Sequence, residues 1–248
     1  MFPWGQYSVR LKVGPRVFSP TLLGTVLAAG MLAGLVSLGR WQLHRAAEKQ
    51  VLFDEFAAGA GSNVELGSST GPLQRYQHVS ARGRYDPSAQ LLIDNMVSNE
   101  RAGYYVITPF ELDSGEWFLV NRGWVPMGES RAVLPSIPSP EGEIGIRGRA
   151  DLLPRPGIRM GTPAPLAPPF PVRANYPSLE AVHAVIGPRR WSTRTEVILL
   201  DAREPGGFVR DWAAPGFPPA RHIAYAVQWF GLAAAMLVLY IIASLEKP

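Results

Sequence analysis

Two long uncharged stretches, one near each end of the chain, constrain the fold more than any other feature of the sequence. The first runs from Val17 to Leu38 and the second from Ile223 to Ala243, and they contain 22 and 21 residues. A helix needs about 20 apolar residues to cross the hydrocarbon core of a bilayer. The sequence therefore predicts two terminal transmembrane helices, with a soluble domain of roughly 180 residues between them.

The charges around the first stretch favour a cytoplasmic N-terminus, because residues 1–39 hold three basic residues and no acidic ones. Arg40, Arg45 and Lys49 oppose this, but long loops translocate largely regardless of charge and the first helix usually dominates. A cleavable signal peptide is the alternative, although its apolar region usually has only ~7–15 residues. We predict the following division of the chain: a cytoplasmic arm at 1–16, transmembrane helix 1 at 17–39, an extracytoplasmic (periplasmic) domain at 40–221, transmembrane helix 2 at 222–243 and a cytoplasmic tail at 244–248.

The composition excludes several classes of function. The chain has no cysteine, which excludes disulfides, thiolate metal sites, thiol catalysis and covalent c-type haem. Residues 40–221 hold 20 Arg or Lys against 19 Asp or Glu, a net charge of +1. A nucleic-acid-binding surface needs a clustered excess of basic residues. We therefore expect no nucleic-acid partner, and the lipid bilayer is the environment that the two apolar stretches predict.

The domain between the apolar stretches is predicted to be mainly β structure. Its runs of β-branched and aromatic residues are separated by short turns rich in Asp, Asn, Ser and Gly, which favour an antiparallel meander over residues 76–126. Gly123 stands inside one of these runs and predicts a bulge or a close backbone approach. The predicted strands are Tyr76–Tyr85, Gln90–Met96, Tyr104–Leu112, Trp117–Val125, Ile144–Leu152 and Val197–Leu200.

One short helix is predicted over residues 178–186, with Ser178 as its N-cap and Gly187-Pro188 as its stop. Residues 153–177 hold ten prolines and glycines, which indicates extended chain over the domain or a mobile loop. The fold class is thus α+β: two terminal transmembrane helices flanking one extracytoplasmic domain that has a mainly antiparallel β-sheet and a short helix.

The sequence gives no positive case for an enzyme, and we expect no catalytic residues. The four histidines are not at metal-ligand spacing, and neither a phosphate-binding glycine loop nor a paired-carboxylate motif is present. Residues 67–71 match the G-x-S-x-G pattern around Ser69, but a nucleophile elbow needs a strand before the serine and a helix after it. A Gly/Ser run precedes Ser69 and Pro72 follows it. A membrane-tethered hydrolase is therefore the least favoured alternative.

His222 stands at the start of the second apolar stretch and is the candidate binding residue. Tyr225 and Trp229 follow it at i+3 and i+7, so that the three side chains form one stripe on a helix. Gln228 lies about 9 Å along the helix from His222, where polar side chains are disfavoured unless they face protein or a ligand. A neutral imidazole can ligate haem iron, and aromatic neighbours would pack on the macrocycle. Taken alone, these residues favour a simpler interpretation, a headgroup-level aromatic belt.

Four stretches of the sequence resemble the surfeit-locus-one family of cytochrome c oxidase assembly factors. They occur in the order found in that family, between two terminal membrane helices, and the similarity spans nearly the whole chain. Two departures are Glu48, where many members have tryptophan, and Ser178 or Pro177, where an acidic residue is common. The four stretches are Gly39-Arg40-Trp41-Gln42-Leu43-His44-Arg45, Gly103-Tyr104-Tyr105-Val106-Ile107-Thr108-Pro109-Phe110, Leu119-Val120-Asn121-Arg122-Gly123-Trp124-Val125-Pro126 and His222-Ile223-Ala224-Tyr225-Ala226-Val227-Gln228-Trp229-Phe230-Gly231.

The resemblance implies a non-enzymatic membrane chaperone of the bacterial inner membrane, with its domain on the periplasmic side. It implies that the protein binds haem a non-covalently and transiently and assists its insertion into cytochrome c oxidase subunit I, with haem a synthase as a further partner. His222 matches the proposed ligand of the haem iron, and Tyr225 and Trp229 complete the expected haem site. His44 receives no ligand role. The alternative is a haem-free scaffold that holds a subunit I intermediate by helix packing, at Gly30/Gly34 or Gly231/Ala235.

Overall fold

A computed structural model describes residues 11–59, 63–68, 71–128, 130–155, 165–187 and 195–246. Contacts divide the chain into two compact units, of which one comprises Met1–Asp54 with Pro215–Pro248 and the other Glu55–Ala214. The strands are β1 (Leu11–Val13), β2 (Arg16–Phe18), β3 (Asn63–Glu65), β4 (His78–Tyr85), β5 (Leu91–Ser98), β6 (Arg101–Leu112), β7 (Trp117–Pro126), β8 (Ile144–Asp151), β9 (Val172–Ala174), β10 (Val197–Leu200) and β11 (Leu245–Glu246). The helices are α1 (Leu22–Ala58), α2 (Leu179–Ile186) and α3 (Pro219–Ala243).

The two apolar stretches are helical, as the sequence predicts, but both helices begin at other residues. Helix α1 starts at Leu22 instead of residue 17, because Thr21 caps it by accepting a hydrogen bond from the backbone N–H of Gly24 at 3.2 Å. Residues 16–18 form β2, which pairs with β1 and β11 in a three-stranded sheet that the sequence did not predict. Helix α3 starts at Pro219, a residue type that suits the first turn of a helix. His222 therefore lies at the end of the first turn of α3 and does not open the helix.

The second unit contains an eight-stranded sheet in the order β3-β4-β8-β10-β7-β6-β5-β9. Strand β4 also pairs with β6, so that β4, β8, β10, β7 and β6 close into a ring. Most pairs are antiparallel, and the pairs β3–β4, β7–β10 and β5–β9 are parallel. The α+β class with a mainly antiparallel sheet and a short helix is thus confirmed.

The predicted meander is right for β5, β6 and β7 and wrong for β4, which pairs with β8 and β6 instead of β5. Asp86 and the single helical turn Pro87–Ala89 separate β4 from β5, so that the chain turns away from β4 instead of forming a hairpin with it. Gly83 allows the end of β4 to reach β6, because a Cβ atom there would collide with the carbonyl oxygen of Glu111. The closure of the ring therefore depends on one residue without a side chain.

Residues of β7 and β10 alternate between two of the three hydrophobic clusters, which lie on opposite faces of these strands. In β7, Leu119 belongs to the cluster that includes α2, whereas Val120 belongs to the cluster around Phe110. Val197 and Ile198 of β10 alternate in the same way. The sheet thus has two buried faces, which explains why β10 consists of four buried apolar residues.

Helix α2 matches its prediction, because Ser178 Oγ accepts a hydrogen bond from the backbone N–H of Ala181 and Gly187 ends the helix at a φ of 87°. The proline-rich segment contains a feature that the sequence did not indicate. Residues 172–174 form β9, which pairs in parallel with β5 at the edge of the sheet. Residues 156–164 of that segment lie outside the described residues.

The predicted bulge at Gly123 is confirmed. The register of β6 with β7 jumps from Tyr105–Trp124 to Ile107–Asn121, so that Arg122 and Gly123 together face one residue. Gly123 has a φ of 108°, and a Cβ atom there would lie 2.6 Å from the carbonyl oxygen of Val209. The bulge turns the side chain of Arg122 into the protein, where this residue is only 1% exposed.

The buried Arg122 guanidinium is satisfied by neutral acceptors. It donates to the carbonyl oxygen of Gly206 at 2.7 Å from Nε, to that of Pro138 at 2.7 Å and to Ser139 Oγ at 3.2 Å. The rings of Tyr85 and Phe208 lie 4.9 and 5.1 Å from its central carbon. Burial lowers the pKa of Arg122. The nearby Tyr85 raises this pKa, but by less than burial lowers it. The guanidinium thereby fixes two loops to β7.

Replacing Arg122 by Met should unfold the domain at a markedly lower urea concentration. The substitution removes charge-assisted hydrogen bonds to the carbonyl oxygens of Gly206 and Pro138, which costs about 3 kcal/mol or more. Arg84→Met is the matched control, because Arg84 is an arginine of β4 whose side chain is 71% exposed and makes only a surface ion pair with Glu111. Tryptophan fluorescence of the detergent-purified chain in urea measures both. Equal midpoints for the two variants would contradict this role of Arg122.

Candidate functional site

Helices α1 and α3 pack side by side within one unit and run antiparallel. Thr25 of α1 meets Tyr240 of α3, and Gln42 meets His222, so that early residues of one helix contact late residues of the other. The hydroxyl groups of Thr25 and Tyr240 lie 2.7 Å apart. The polar contacts thus mark the two ends of an otherwise apolar interface.

Small residues allow these helices to approach closely. The buried residues are Gly39 and Ala46 in α1 and Ala226 and Ala233 in α3. A Cβ atom at Gly39 would lie 2.6 Å from Cε1 of Phe230, so the ring occupies the place of the absent side chain. Close contact through small residues is the usual way in which membrane helices gain packing energy. Gly39 thereby lets the two helices come close enough for the side chain of Gln42 to contact α3.

The hydrogen bond between Gln42 and His222 is the central feature of the candidate site. Gln42 Oε1 lies 2.9 Å from His222 Nδ1, in a partly buried position. An amide oxygen can only accept a hydrogen bond, so Nδ1 carries the proton. In the tautomer with the proton on Nδ1, Nε2 keeps its lone pair, and Nε2 has no hydrogen-bond partner among the described residues. The geometry therefore presents an oriented imidazole whose free nitrogen can ligate a metal.

The predicted stripe lies along one continuous helix, α3, but its members differ in exposure. His222 and Trp229 are half-buried, whereas Tyr225 is 42% exposed. Gln228 is exposed and makes no hydrogen bond with any of the described residues. Their i, i+3 and i+7 spacing in this helix places the three predicted haem-site residues along one side of α3.

Gln42 is the residue of the candidate site that reasoning from the sequence missed. It lies in the stretch Gly39–Arg45, which carried part of the family resemblance, but nothing local points from residue 42 to a histidine 180 positions away.

His44 lies on an exposed part of α1, with Nε2 3.3 Å from Glu48 Oε1. Ser69 lies outside the described residues. Within the described ranges, no group of three or more His, Asp or Glu residues is arranged to hold a metal ion.

Both helices are long and apolar enough to cross a membrane. The most apolar 18-residue windows of α1 and α3 each have a mean hydropathy of 2.0. Only 6% and 11% of these windows are buried within the protein, whereas the core helix of a soluble protein is mostly buried. The fold and the site together define a class of protein, which combines a β-rich domain with a pair of helices that are apolar enough to span a membrane and that orient a histidine between them.

Comparison with known proteins places the chain within that class. The sequence profile of the SURF1 family matches residues 29–234. Surfeit locus protein 1 of Xenopus tropicalis is 32% identical over 239 residues, covering 82% of this chain and 70% of its own length. The corresponding protein of Takifugu rubripes is 29% identical, with 85% and 92% covered, and the SURF1-like protein of Rickettsia prowazekii is 25% identical, with 84% of each chain covered. The chain belongs to the SURF1 family, whose members are cytochrome oxidase assembly factors and not catalysts.

Substituting Gly39 by Leu should destabilise the helix pair, because the new side chain must displace the Phe230 ring from a packed interface. Overpacking of this kind costs about 1–3 kcal/mol, which lowers the melting midpoint of a chain of this size by roughly 5 °C. Gly34→Leu is the matched control, since no atom lies within 4 Å of a Cβ atom there. Thermal unfolding in detergent compares the two, and a control that melts as low as Gly39→Leu would refute the assignment of this contact.

Proposed function

We propose that this protein binds haem a at His222 and assists its insertion into cytochrome c oxidase subunit I. The observation that carries the proposal is the hydrogen bond from His222 Nδ1 to Gln42 Oε1 at 2.9 Å. Histidines that ligate metals almost always donate their second ring nitrogen to an oxygen acceptor, which fixes the tautomer and raises the basicity of the ligand. His222 has that partner, and the partner comes from the other helix of the pair.

The residues around His222 fit a haem that is held reversibly. When bound, the haem would supply an iron that accepts a nitrogen ligand and a large apolar surface. His222 Nε2 would ligate the iron, and Trp229 and Tyr225 on the same helix would offer aromatic surface to the macrocycle. The chain has no cysteine to form a thioether link, so His222 would hold the cofactor without a covalent bond to its ring. A single neutral imidazole suits a protein that must release what it binds.

The same proposal assigns the protein to the bacterial inner membrane, with residues 40–221 on the periplasmic side. The basic residues Lys12 and Arg16 before α1 support a cytoplasmic N-terminus, and both described ends of the chain then lie on one side. Subunit I, as the acceptor of haem a, and haem a synthase are the proposed partners.

A haem-free scaffold for a subunit I intermediate is the second candidate. It is favoured by open positions on the outer faces of the helices, since no atom lies within 4 Å of a Cβ atom added at Gly30, Gly34 or Gly231. Small residues of this kind allow another helix to pack closely, and the exposed amide of Gln228 can form a hydrogen bond with it. Purification of subunit I together with haem-free protein would favour this candidate, as would a stronger effect of Gly231→Leu than of His222→Ala.

His222→Ala should abolish the Soret absorption band of the detergent-purified protein, because the alanine removes the only nitrogen proposed to ligate the iron. His44→Ala is the control, since His44 is an exposed histidine of α1 that the proposal leaves without a role. Absorption spectra and extracted haem content are measured on all three proteins. A full haem content and an unchanged spectrum in His222→Ala would show that His222 is not the ligand.

Gln42→Leu should weaken haem binding by about 10- to 100-fold, because loss of the acceptor frees the His222 ring to rotate and to change tautomer. Gln42→Glu is the conservative variant, and it should retain most of the affinity because a carboxylate oxygen also accepts from Nδ1. Titration with haem, followed at the Soret band, measures the dissociation constants. Equal affinity for the wild type and Gln42→Leu would remove Gln42 from the site.

A further inference from the structure

A cavity of about 530 Å³ opens in the soluble unit, where β5 and β9 stop pairing. The last pair between these parallel strands is Ile93 with Ala174, and beyond it Asn95 Nδ2 donates to Asn175 Oδ1 at 3.2 Å. Residues that follow this pair on both segments line the cavity, and its volume is within the range of about 300–1,000 Å³ typical of small-molecule pockets. The residues on which its chemistry depends are Asp94, Asn95, Arg131, Leu166, Arg173 and Tyr176.

The backbone around the cavity is in an unusual conformation at two of these positions. The register of β5 with β6 jumps from Ile93–Tyr105 to Met96–Gly103, so Asp94 and Asn95 form a bulge. Asn95 has a φ of 62°, and Tyr176 has a φ of 47°. A left-handed backbone is uncommon for a residue as bulky as tyrosine, and such conformations concentrate at ligand sites. The bulge also aims the Asp94 side chain into the cavity.

Two guanidinium groups converge on the buried carboxylate of Asp94 without closing a hydrogen bond to it. Arg131 Nη2 and Arg173 Nε each lie 3.8 Å from the nearest Asp94 oxygen, beyond hydrogen-bonding distance. Other groups hold the two arginines in place. Arg131 Nη2 donates to Asn95 Oδ1 at 2.9 Å, and Arg173 Nη1 donates to the carbonyl oxygen of Arg131 at 2.7 Å. Both guanidiniums are thus positioned before any ligand arrives.

The arginines retain capacity to bind an anion. Their side chains are 50% and 43% exposed, whereas that of Asp94 is only 10% exposed. Neither Nη1 of Arg131 nor Nη2 of Arg173 makes a hydrogen bond to any described residue. Two guanidiniums facing one carboxylate leave one excess positive charge in the cavity. Fixed guanidinium groups are the preferred partners of carboxylates and phosphates.

The remaining wall of the cavity is largely apolar. Pro165, Leu166, Pro177 and Ala181 contribute to it, together with the ring of Tyr176. Leu166 and Tyr176 also pack against the hydrophobic cluster that includes α2, so this wall is part of the folded core. A ligand that fits must therefore combine a negatively charged group with an apolar body.

We infer that this cavity is a binding site for a small organic carboxylate or phosphate that carries an apolar group. Arg131 and Arg173 bind the anionic group, and the wall around Leu166 and Tyr176 receives the apolar part. The negative charge of Asp94 lies close to both arginines and lowers their affinity for the anion. The site is separate in its residues from the helix pair, and its occupancy requires no haem.

Calorimetric titration of the detergent-purified full chain with phenyl phosphate and with benzoate tests the site, and benzyl alcohol serves as the uncharged probe. At least one of the two anions should bind saturably, and benzyl alcohol should not. Arg131→Gln and Arg173→Gln should each weaken that binding by about tenfold or more, as expected for a lost hydrogen bond to a charged group. Arg203→Gln, which changes an exposed arginine outside the cavity, should leave it unchanged.

Asp94→Asn separates a ligand site from a purely structural ion cluster. The amide keeps an oxygen that accepts from the Asn95 N–H, as Asp94 Oδ1 does at 2.7 Å, but removes the opposing charge. Binding of the anion should therefore become tighter, by about threefold or more, and should weaken with added salt. The inference is overturned if neither anion binds saturably to the folded wild-type protein, or if the two arginine variants bind the anion as tightly as the wild type. It is also overturned if Asp94→Asn binds the anion more weakly while its melting temperature is unchanged.

Discussion

The close approach of two apolar helices at Gly39 is the condition on which the candidate haem site depends. Because the Phe230 ring fills the space of a missing side chain, α1 and α3 come close enough for Gln42 to reach His222. The position is partly buried, so the bond between them satisfies two polar groups that would otherwise lose part of their hydration. Packing between small residues thus decides which hydrogen-bond partner orients the imidazole of His222.

The soluble unit satisfies a buried polar group by a different arrangement. Arg122 carries a positive charge into the interior and meets backbone carbonyl groups and aromatic faces, and none of the ion pairs among the described residues includes it. The carbonyls belong to loops that would otherwise leave them unpaired. Arg131 and Arg173 contrast with Arg122, because they are half-exposed and keep donors that the protein does not use. The degree of burial and the number of hydrogen bonds thus distinguish Arg122, which stabilises the fold, from Arg131 and Arg173, which can bind a ligand.

Sequence patterns predicted local structure well where the signal was local. The cap at Ser178, the stop at Gly187 and the bulge at Gly123 follow from the conformations that single residues permit, and all three are confirmed. The partner of β4 was wrong, because pairing between distant strands depends on ring closure at Gly83, which no neighbouring residue reveals. Strand β9 was missed because its residues lie among prolines and owe their extended conformation to β5. The cavity beside it could not be predicted for the same reason.

The sequence by itself determined that two apolar helices flank a β-rich domain, and it singled out His222. Apolar length, turn residues and helical caps act within a few positions of the chain, so they can be recognised without any knowledge of the fold. Only the tertiary structure decided that Gln42 is the partner of His222, that Gly39 packs against Phe230, and that Arg131 and Arg173 meet at Asp94. Each of these depends on the approach of segments distant in sequence, and packing sets that approach.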